Sequence, residues 1–338
     1  MKKAVVLFNL GGPDKLESVE PFLFNLFNDP EILSIPSIFR YPLAKFISKR
    51  RAPIAKNIYK EIGNKSPILE LTQQQATSLE NSLSAKGDYK CFVVMRCWHP
   101  RAVDVIKKVK EFKPEEIILL PLYPQFSAAT SGSSINEWND LCKKENFNVK
   151  TKTICCYPTE SNFIKSHANL IKKITQNTEN KNFKLLFSAH GLPEIKIKKG
   201  DPYQWQVEET VKRIMMELKD ENLDHTISYQ SRVGPLKWIG PSTDDEIIKY
   251  SKEKKGIVIV PVAFVSEHSE TLVELDIEYK KLAEKNGCSF YKRVPALGIE
   301  ENFIKGLTEL VVQQETRGNF VSSVMCPNKY AKCPCLGL

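Results

Sequence analysis

Twice along the chain a short apolar run ends in a glycine and, two residues later, a proline. Ala4–Pro13 reads AVVLFNLGGP and Lys184–Pro193 reads KLLFSAHGLP. Further on, Ile117–Ser127 (IILLPLYPQFS) resembles Ile257–Glu267 (IVIVPVAFVSE), with Pro121 and Pro261 in register. Such an echo asks for one architecture built twice. Each run is apolar without alternation, as in strands buried on both faces of a parallel sheet. Pro13 and Pro121 are 108 residues apart, whereas Pro193 and Pro261 are 68 apart. The first copy therefore carries about 40 extra residues, and the segment Phe22–Lys60 is the obvious insertion.

The rest of the chain fits the same plan. Strands are expected at Ala4–Asn9, Cys91–Arg96, Ile117–Tyr123, Val149–Cys155, Lys184–Ala189, Thr226–Gln230, Ile257–Phe264 and Cys288–Arg293. Between them, Val103–Phe112, Asn162–Ile174, Gln206–Leu218, Asp244–Lys254, Glu270–Lys285 and Glu301–Val312 carry apolar residues at helical spacing. Strands alternating with helices give an α/β fold of two similar doubly wound units with parallel sheets, and 338 residues suit about two domains. The expected units are 1–165, carrying the insertion at about 20–60 and rejoined by the C-terminal segment 313–338, and 166–312. Ligands of such sheets bind beyond the carboxyl ends of the strands. Leu10, Tyr123, His190 and Phe264 hold that position, and we expect them to converge on one cleft between the units.

The longest apolar run, Ile257–Val265, has nine residues and is too short to span a bilayer. Ala4–Leu10 after two lysines imitates a signal peptide but runs into Gly11-Gly12-Pro13 without a cleavage site, so it reads as a buried strand. Nine cysteines, an odd number, argue for reduced thiols or metal ligation rather than a disulfide framework, and a cytoplasmic location is expected. The net charge is +9, and its distribution is informative. Ile32–Lys60 has no acidic residue but holds Arg40, Lys45, Lys49, Arg50, Arg51, Lys56 and Lys60 among Ile38, Phe39, Tyr41, Leu43, Phe46 and Ile47. A nucleic-acid arm is polar and basic; a segment both apolar and basic suits a lipid boundary or a flat apolar ligand bearing carboxylates. It equally fits two core helices with solvated lysines.

His190 ends a strand, where a side chain points into the cleft, and Gly191 permits close approach. A role in supporting a neighbouring functional group, or in capping a helix, competes with a functional one. Among the other histidines, His99 fits a structural group and His167 and His225 read as surface residues. Glu267, Glu270, Glu274 and Glu278 share one helical face beginning at the strand end, with His268 among them. Carboxylates and imidazoles at one strand-end level suit a divalent metal with open positions; a solvated acidic stripe is the plainer reading. No Gly-rich phosphate loop follows a strand, so no nucleotide is expected, and no Gly-x-Ser-x-Gly elbow occurs.

Six separated motifs then carry a resemblance. Leu7–Pro13 (LFNLGGP), Met95–Pro100 (MRCWHP), Pro121–Ser127 (PLYPQFS), Ser188–Pro193 (SAHGLP), Tyr229–Pro235 (YQSRVGP) with Trp238, and Phe264–Leu272 (FVSEHSETL) together resemble the ferrochelatases, in the family's order along nearly the whole chain. The resemblance implies two Rossmann-like, chelatase-type units and insertion of Fe2+, as substrate, into protoporphyrin IX to give protohaem, the last step of haem synthesis. It implies catalysis by His190 and Glu270; a metal path over His190, Glu270, Glu267 and Glu274, with His268 beside it; and porphyrin contacts from Leu10, Tyr59, Arg96, Tyr123, Trp238 and Phe264. The basic-apolar segment resembles a lip that grips the macrocycle and touches a membrane peripherally. The alternatives are a chelatase for coproporphyrin or another tetrapyrrole, a cobalt chelatase, or a porphyrin carrier without chemistry. No nucleic-acid partner is expected, and the sequence sets no oligomeric state. Cys97, Asn64-Lys65 and Ala128 depart from common family residues.

The C-terminus reads Cys326-x6-Cys333-x-Cys335. It resembles the tail of bacterial members holding a [2Fe–2S] cluster, which takes four ligands. Cys142 is the expected fourth, ahead of Cys155 and Cys156, which end a strand; free thiols on a loose tail are the competing reading.

Overall fold

The computed structural model describes residues 1–179, 182–219, 223–232, 234, 236–313 and 319–336. Val233 and Pro235 of the Tyr229–Pro235 motif, and parts of the 313–338 segment, lie outside the described residues. Nine strands occur among the described residues: β1 (Lys2–Asn9), β2 (Asp88–Met95), β3 (Glu116–Pro121), β4 (Lys150–Cys156), β5 (Phe183–His190), β6 (His225–Gln230), β7 (Gly256–Pro261), β8 (Tyr291–Arg293) and β9 (Phe320–Ser322). They form a sheet ordered β2-β1-β3-β4-β9 and a second ordered β6-β5-β7-β8. The pairs β1–β2, β1–β3, β3–β4, β5–β6, β5–β7 and β7–β8 are parallel.

The sequence echo is thus an echo of topology: β1 and β5, β3 and β7 hold equivalent places in sheets with the same order of their first four strands. In β1, Ala4–Phe8 are almost wholly buried, as are Leu185–Phe187 in β5 and Ile257–Val260 in β7. Two-sided burial explains why these runs lack alternation.

The chain divides into two compact units, one of 1–123, 127–155 and 307–321, the other of 124–126, 156–306 and 322–338. The segment after residue 306 is therefore shared out. Helix Glu301–Val312 leads toward β9, the short edge strand missing from the expected set, and the cysteine-bearing tail belongs with the second unit.

Two helical segments differ from expectation for physical reasons. Residues 270–285 were expected as one α-helix, but Glu270–Glu278 is a π-helix that becomes α-helical only at Tyr279–Lys285. A shorter π-helix, Ala128–Gly132, follows β3 at the equivalent place in the first unit. π-turns are rare and occur mainly at functional sites, because wider turns re-aim side chains at a cost in backbone geometry. In the insertion, Ser37–Lys60 is one long helix despite Pro42 and Pro53 in its interior. It buries Ala44, Ser48, Ala52 and Tyr59 and leaves Ile38, Phe39, Tyr41, Phe46 and Ile54 exposed. Small residues face inward and large apolar ones outward, the reverse of an ordinary surface helix. Helix Val19–Phe27 packs beside it through Phe24 against Tyr41, ring centroids 5.2 Å apart, and Phe27 beneath Arg51.

Candidate functional site

In the second unit the switch point of strand order lies between β5 and β7, the place where α/β sheets bind ligands. His190 is the last residue of β5, and its Nδ1 lies 2.7 Å from the Gly191 carbonyl oxygen. A carbonyl only accepts, so Nδ1 carries the hydrogen and the neutral ring presents the Nε2 lone pair. Nε2 stands 3.7 Å from Glu270 Oε1. A side chain at Gly191 would meet the Gln230 carbonyl oxygen at 2.8 Å and the Trp238 ring at 3.1 Å. Glycine is required there, and the Trp238 ring packs against its backbone.

Past β7, the π-helix delivers the acidic groups. His268 points its Nδ1 at the Ser266 carbonyl oxygen (3.1 Å) and its Nε2 toward Glu270 Oε2 (3.9 Å). Its ring touches that of Phe264 at 4.6 Å. Glu270 thus lies beside two imidazoles, while its Oε2 is buried with no hydrogen-bond partner among the described residues. Burial alone would raise its pKa, but His190 and His268 outweigh that and hold it well below the usual carboxylate range. Glu274 goes the other way. Burial and the charge of Glu270 raise it, against hydrogen bonds donated by Gln230 (2.9 Å), Ser231 (2.9 Å) and Tyr279 (3.0 Å). Neighbouring carboxyls pushed apart in pKa take different proton-transfer roles. Glu267 is differently employed: Arg293 binds both its oxygens at 2.9 and 3.1 Å, and the Ala296 N–H donates to it at 2.9 Å. Glu278 is exposed. The stripe read from the sequence therefore divides into a paired Glu267, a clustered Glu270 and Glu274, and a solvated Glu278.

In the first unit, Tyr59 is buried in a cluster with Val19, Phe22, Leu23, Ala52 and Cys97, and Leu10 and Trp98 pack against it. Cys97 fills an apolar place there, and burial pushes its thiol up to about 12. Arg96 donates to Asp29 (2.9 Å), Glu137 (3.1 Å) and Ser133 (2.8 Å), so its charge is matched within the protein. The Tyr123 hydroxyl is buried without a hydrogen-bond partner among the described residues, and burial raises its pKa far above the ordinary value.

The described tail thiols are buried and gathered. The Sγ atoms of Cys333 and Cys335 lie within 4.8 Å of each other. A hydrogen bond with Cys333, together with burial, pushes the Cys326 thiol far up. Thiols this dense fit a bound cation. Cys142 is not in this group. It sits on helix Ser133–Lys144, half-buried against the core cluster of the first unit with Phe147 and Val149.

The sequence reading of one histidine is corrected. His167 is not on the surface: it is 1 % exposed, with Phe163 against its ring at 4.8 Å, and burial lowers it to about 3. His225 is exposed as expected; His99, read as a structural group, is exposed too, with its ring 5.0 Å from that of Trp98. Sequence reasoning did not single out Gln230, Ser231, Tyr279, Arg293 or Gln206. Their only signal was nearness to the motifs, because a hydrogen bond to a carboxylate leaves no periodicity.

The family model described as Ferrochelatase matches residues 2–315. A ferrochelatase of Pelagibacter ubique is 65% identical, with 99% of each chain covered. One of Rickettsia felis is 50% identical, again over 99% of each. Among solved structures, SirB from Bacillus subtilis with Fe3+ superposes with a TM-score of 0.56 at 12% identity, covering 92% of this chain and 94% of that one. The sirohydrochlorin chelatase SirB from Bacillus subtilis subspecies spizizenii in complex with cobalt gives 0.51 at 9% identity, over 90% and 92%. At such identities these two likenesses concern the fold alone.

Proposed function

The chain belongs to the ferrochelatase family, whose members insert iron into a porphyrin in haem synthesis, and from that premise we propose that His190, Glu270 and Glu274 carry the insertion into protoporphyrin IX. The supporting observation is the His190 Nε2 lone pair held 3.7 Å from Glu270. Two pyrrole N–H protons must leave as Fe2+ enters. His190 Nε2 accepts a proton, and the Glu270 carboxylate, anionic because its pKa is depressed, stabilises the imidazolium beside it. Glu274, with its raised pKa, takes the proton onward, which frees His190 to accept the second pyrrole proton in turn. Glu267, already paired with Arg293, shapes the helix start instead of offering a free ligand oxygen. Leu10, Tyr59, Arg96, Tyr123, Trp238 and Phe264 are assigned to the porphyrin surroundings on the family resemblance. The internal ion pairs of Arg96 make it a support for pocket walls more than a cation for propionates.

The test is anaerobic mixing of the protein with Fe2+ and either protoporphyrin IX or coproporphyrin, followed by absorbance. Conversion of protoporphyrin in preference to coproporphyrin supports the reading. Preference for coproporphyrin moves the substrate, and binding without conversion by either ring would leave only a carrier.

Two further features complete the proposal. The exposed Ile38, Phe39, Phe46 and Ile54, in a stretch Ile32–Lys60 that is basic and has no acidic residue, suit peripheral contact with an anionic membrane. Among the described residues no helix is long and apolar enough to cross a membrane. The thiols of Cys326, Cys333 and Cys335 suit a [2Fe–2S] cluster, with Cys156 of the same unit as the fourth ligand. When bound, the cluster would cross-link the tail. No step of insertion needs it. Anaerobically purified protein should then contain iron and acid-labile sulfide in about equal amounts. Stable, active protein lacking both would remove the cluster from the account.

A further inference from the structure

Gln206 lies on helix Tyr203–Leu218 and is fully buried. Its Oε1 accepts the Phe126 N–H at 2.7 Å. A backbone N–H can only donate, so this contact fixes which end of the amide is oxygen. The NH2 end then faces two sulfurs, Cys326 Sγ at 3.2 Å and Cys156 Sγ at 3.4 Å. Neither donor reaches water. A neutral thiol is a weak acceptor, whereas a thiolate takes a charge-assisted bond. The amide is fully satisfied only when sulfur carries negative charge, as a metal-bound cysteine does.

The tail is tied to the same end of this helix. Tyr330 stacks on Trp205 with centroids 5.7 Å apart, and the Lys332 N–H donates to the Gly200 carbonyl oxygen at 3.1 Å. A side chain at Gly200, whose φ is +90°, would meet Ala331 N at 2.9 Å. One turn farther along the helix, the Thr210 hydroxyl lies 2.9 Å from the carbonyl oxygens of both Gln206 and Pro158. The helix backbone at Gln206 is thus fixed, and the Phe126 N–H holds the amide oxygen, so the NH2 end stays aimed at the sulfurs.

We propose that Gln206 is a positioning residue for the tail thiols, aiming its NH2 group at Cys326 and setting the reduction potential of the cluster bound there. This rests on the cluster reading above. Hydrogen bonds to cluster sulfurs stabilise the extra negative charge of the reduced state, so they raise the potential.

The experiment compares anaerobically purified wild type, Gln206→Leu and Gln206→Glu. Iron and sulfide per chain are measured, with a mediated redox titration followed by visible absorbance and by the electron paramagnetic resonance of the reduced form. Gln206→Leu should keep the cluster while its midpoint shifts to more negative potential. Gln206→Glu retains an acceptor for the Phe126 N–H, which protects folding, but sets a carboxylate against sulfur; its midpoint should shift further the same way or the cluster be lost. Circular dichroism confirms that each variant is folded. Clusters in both variants at the wild-type midpoint would overturn the role of Gln206 and leave the cluster standing. Wild type devoid of iron and sulfide would overturn the cluster reading, and this role with it.

Discussion

Glu270 is the residue at which the chemistry is most concentrated, since one carboxylate serves two imidazoles and leaves an oxygen buried without a hydrogen-bond partner among the described residues. Glu270→Gln removes the charge that stabilises the protonated His190. It should lower kcat by about 10²–10⁴-fold, the usual range for an acid–base contribution. The exposed Glu278→Gln, on the same helix, should stay near wild type; equal losses would return the whole stripe to a solvated face. His167 makes a separate prediction about stability. Its folded pKa is about 3 against an ordinary 6.5, so below pH 6.5 the unfolded chain takes up a proton that the folded one refuses. Stability present above that pH is lost on acidification, at a limiting slope of roughly 1.4 kcal/mol per pH unit. His167→Leu should flatten the pH dependence of the melting temperature between pH 4 and 6.5 (about 2.5 pH units of that slope); an unchanged profile would show that this ring is not the acid-sensitive group. His190 was legible because a strand end dictates where its side chain goes. His167 was not, since a histidine on an amphipathic helix has no local mark that separates the buried face from the wet one when its neighbours include lysines.

At the scale of elements, the apolar runs revealed the strands because burial on both faces writes itself directly into composition. The π-helix left no such trace: Glu270–Lys285 has ordinary helical spacing, and only the tertiary setting selects the wider turn. The three-residue β9 was too short for any periodicity to show. The Ser37–Lys60 helix was half legible. Its composition left open a lip or a buried pair, and the outward aromatic face supports the lip. Vesicles of phosphatidylglycerol and phosphatidylethanolamine should sediment the wild type. Binding should weaken with salt, as screened charges require. The triple change Phe39→Ser, Phe46→Ser and Ile54→Ser should abolish co-sedimentation with little change in melting temperature, because these side chains are exposed. Undiminished sedimentation of the triple variant would contradict a membrane role for this face.

For the whole molecule, duplication explains why so much was readable. Two sheets share the strand order of their first four members, and each has a π-helix after its proline-ended strand, Pro121 in one and Pro261 in the other. The copies have diverged in what those π-helices carry: Ala128–Gly132 is small and neutral, while Glu270–Glu278 is acidic. The metal chemistry is therefore assigned to the second unit, on His190 and the two glutamates near it. This assignment is tested most directly by single-turnover insertion under anaerobic conditions, mixing Fe2+ and protoporphyrin IX with wild type and with His190→Ala while absorbance reports haem and fluorescence quenching reports porphyrin binding. The account predicts that His190→Ala binds porphyrin as wild type does but forms no haem on the wild-type timescale. Haem formation by the variant at a rate near wild type would contradict it.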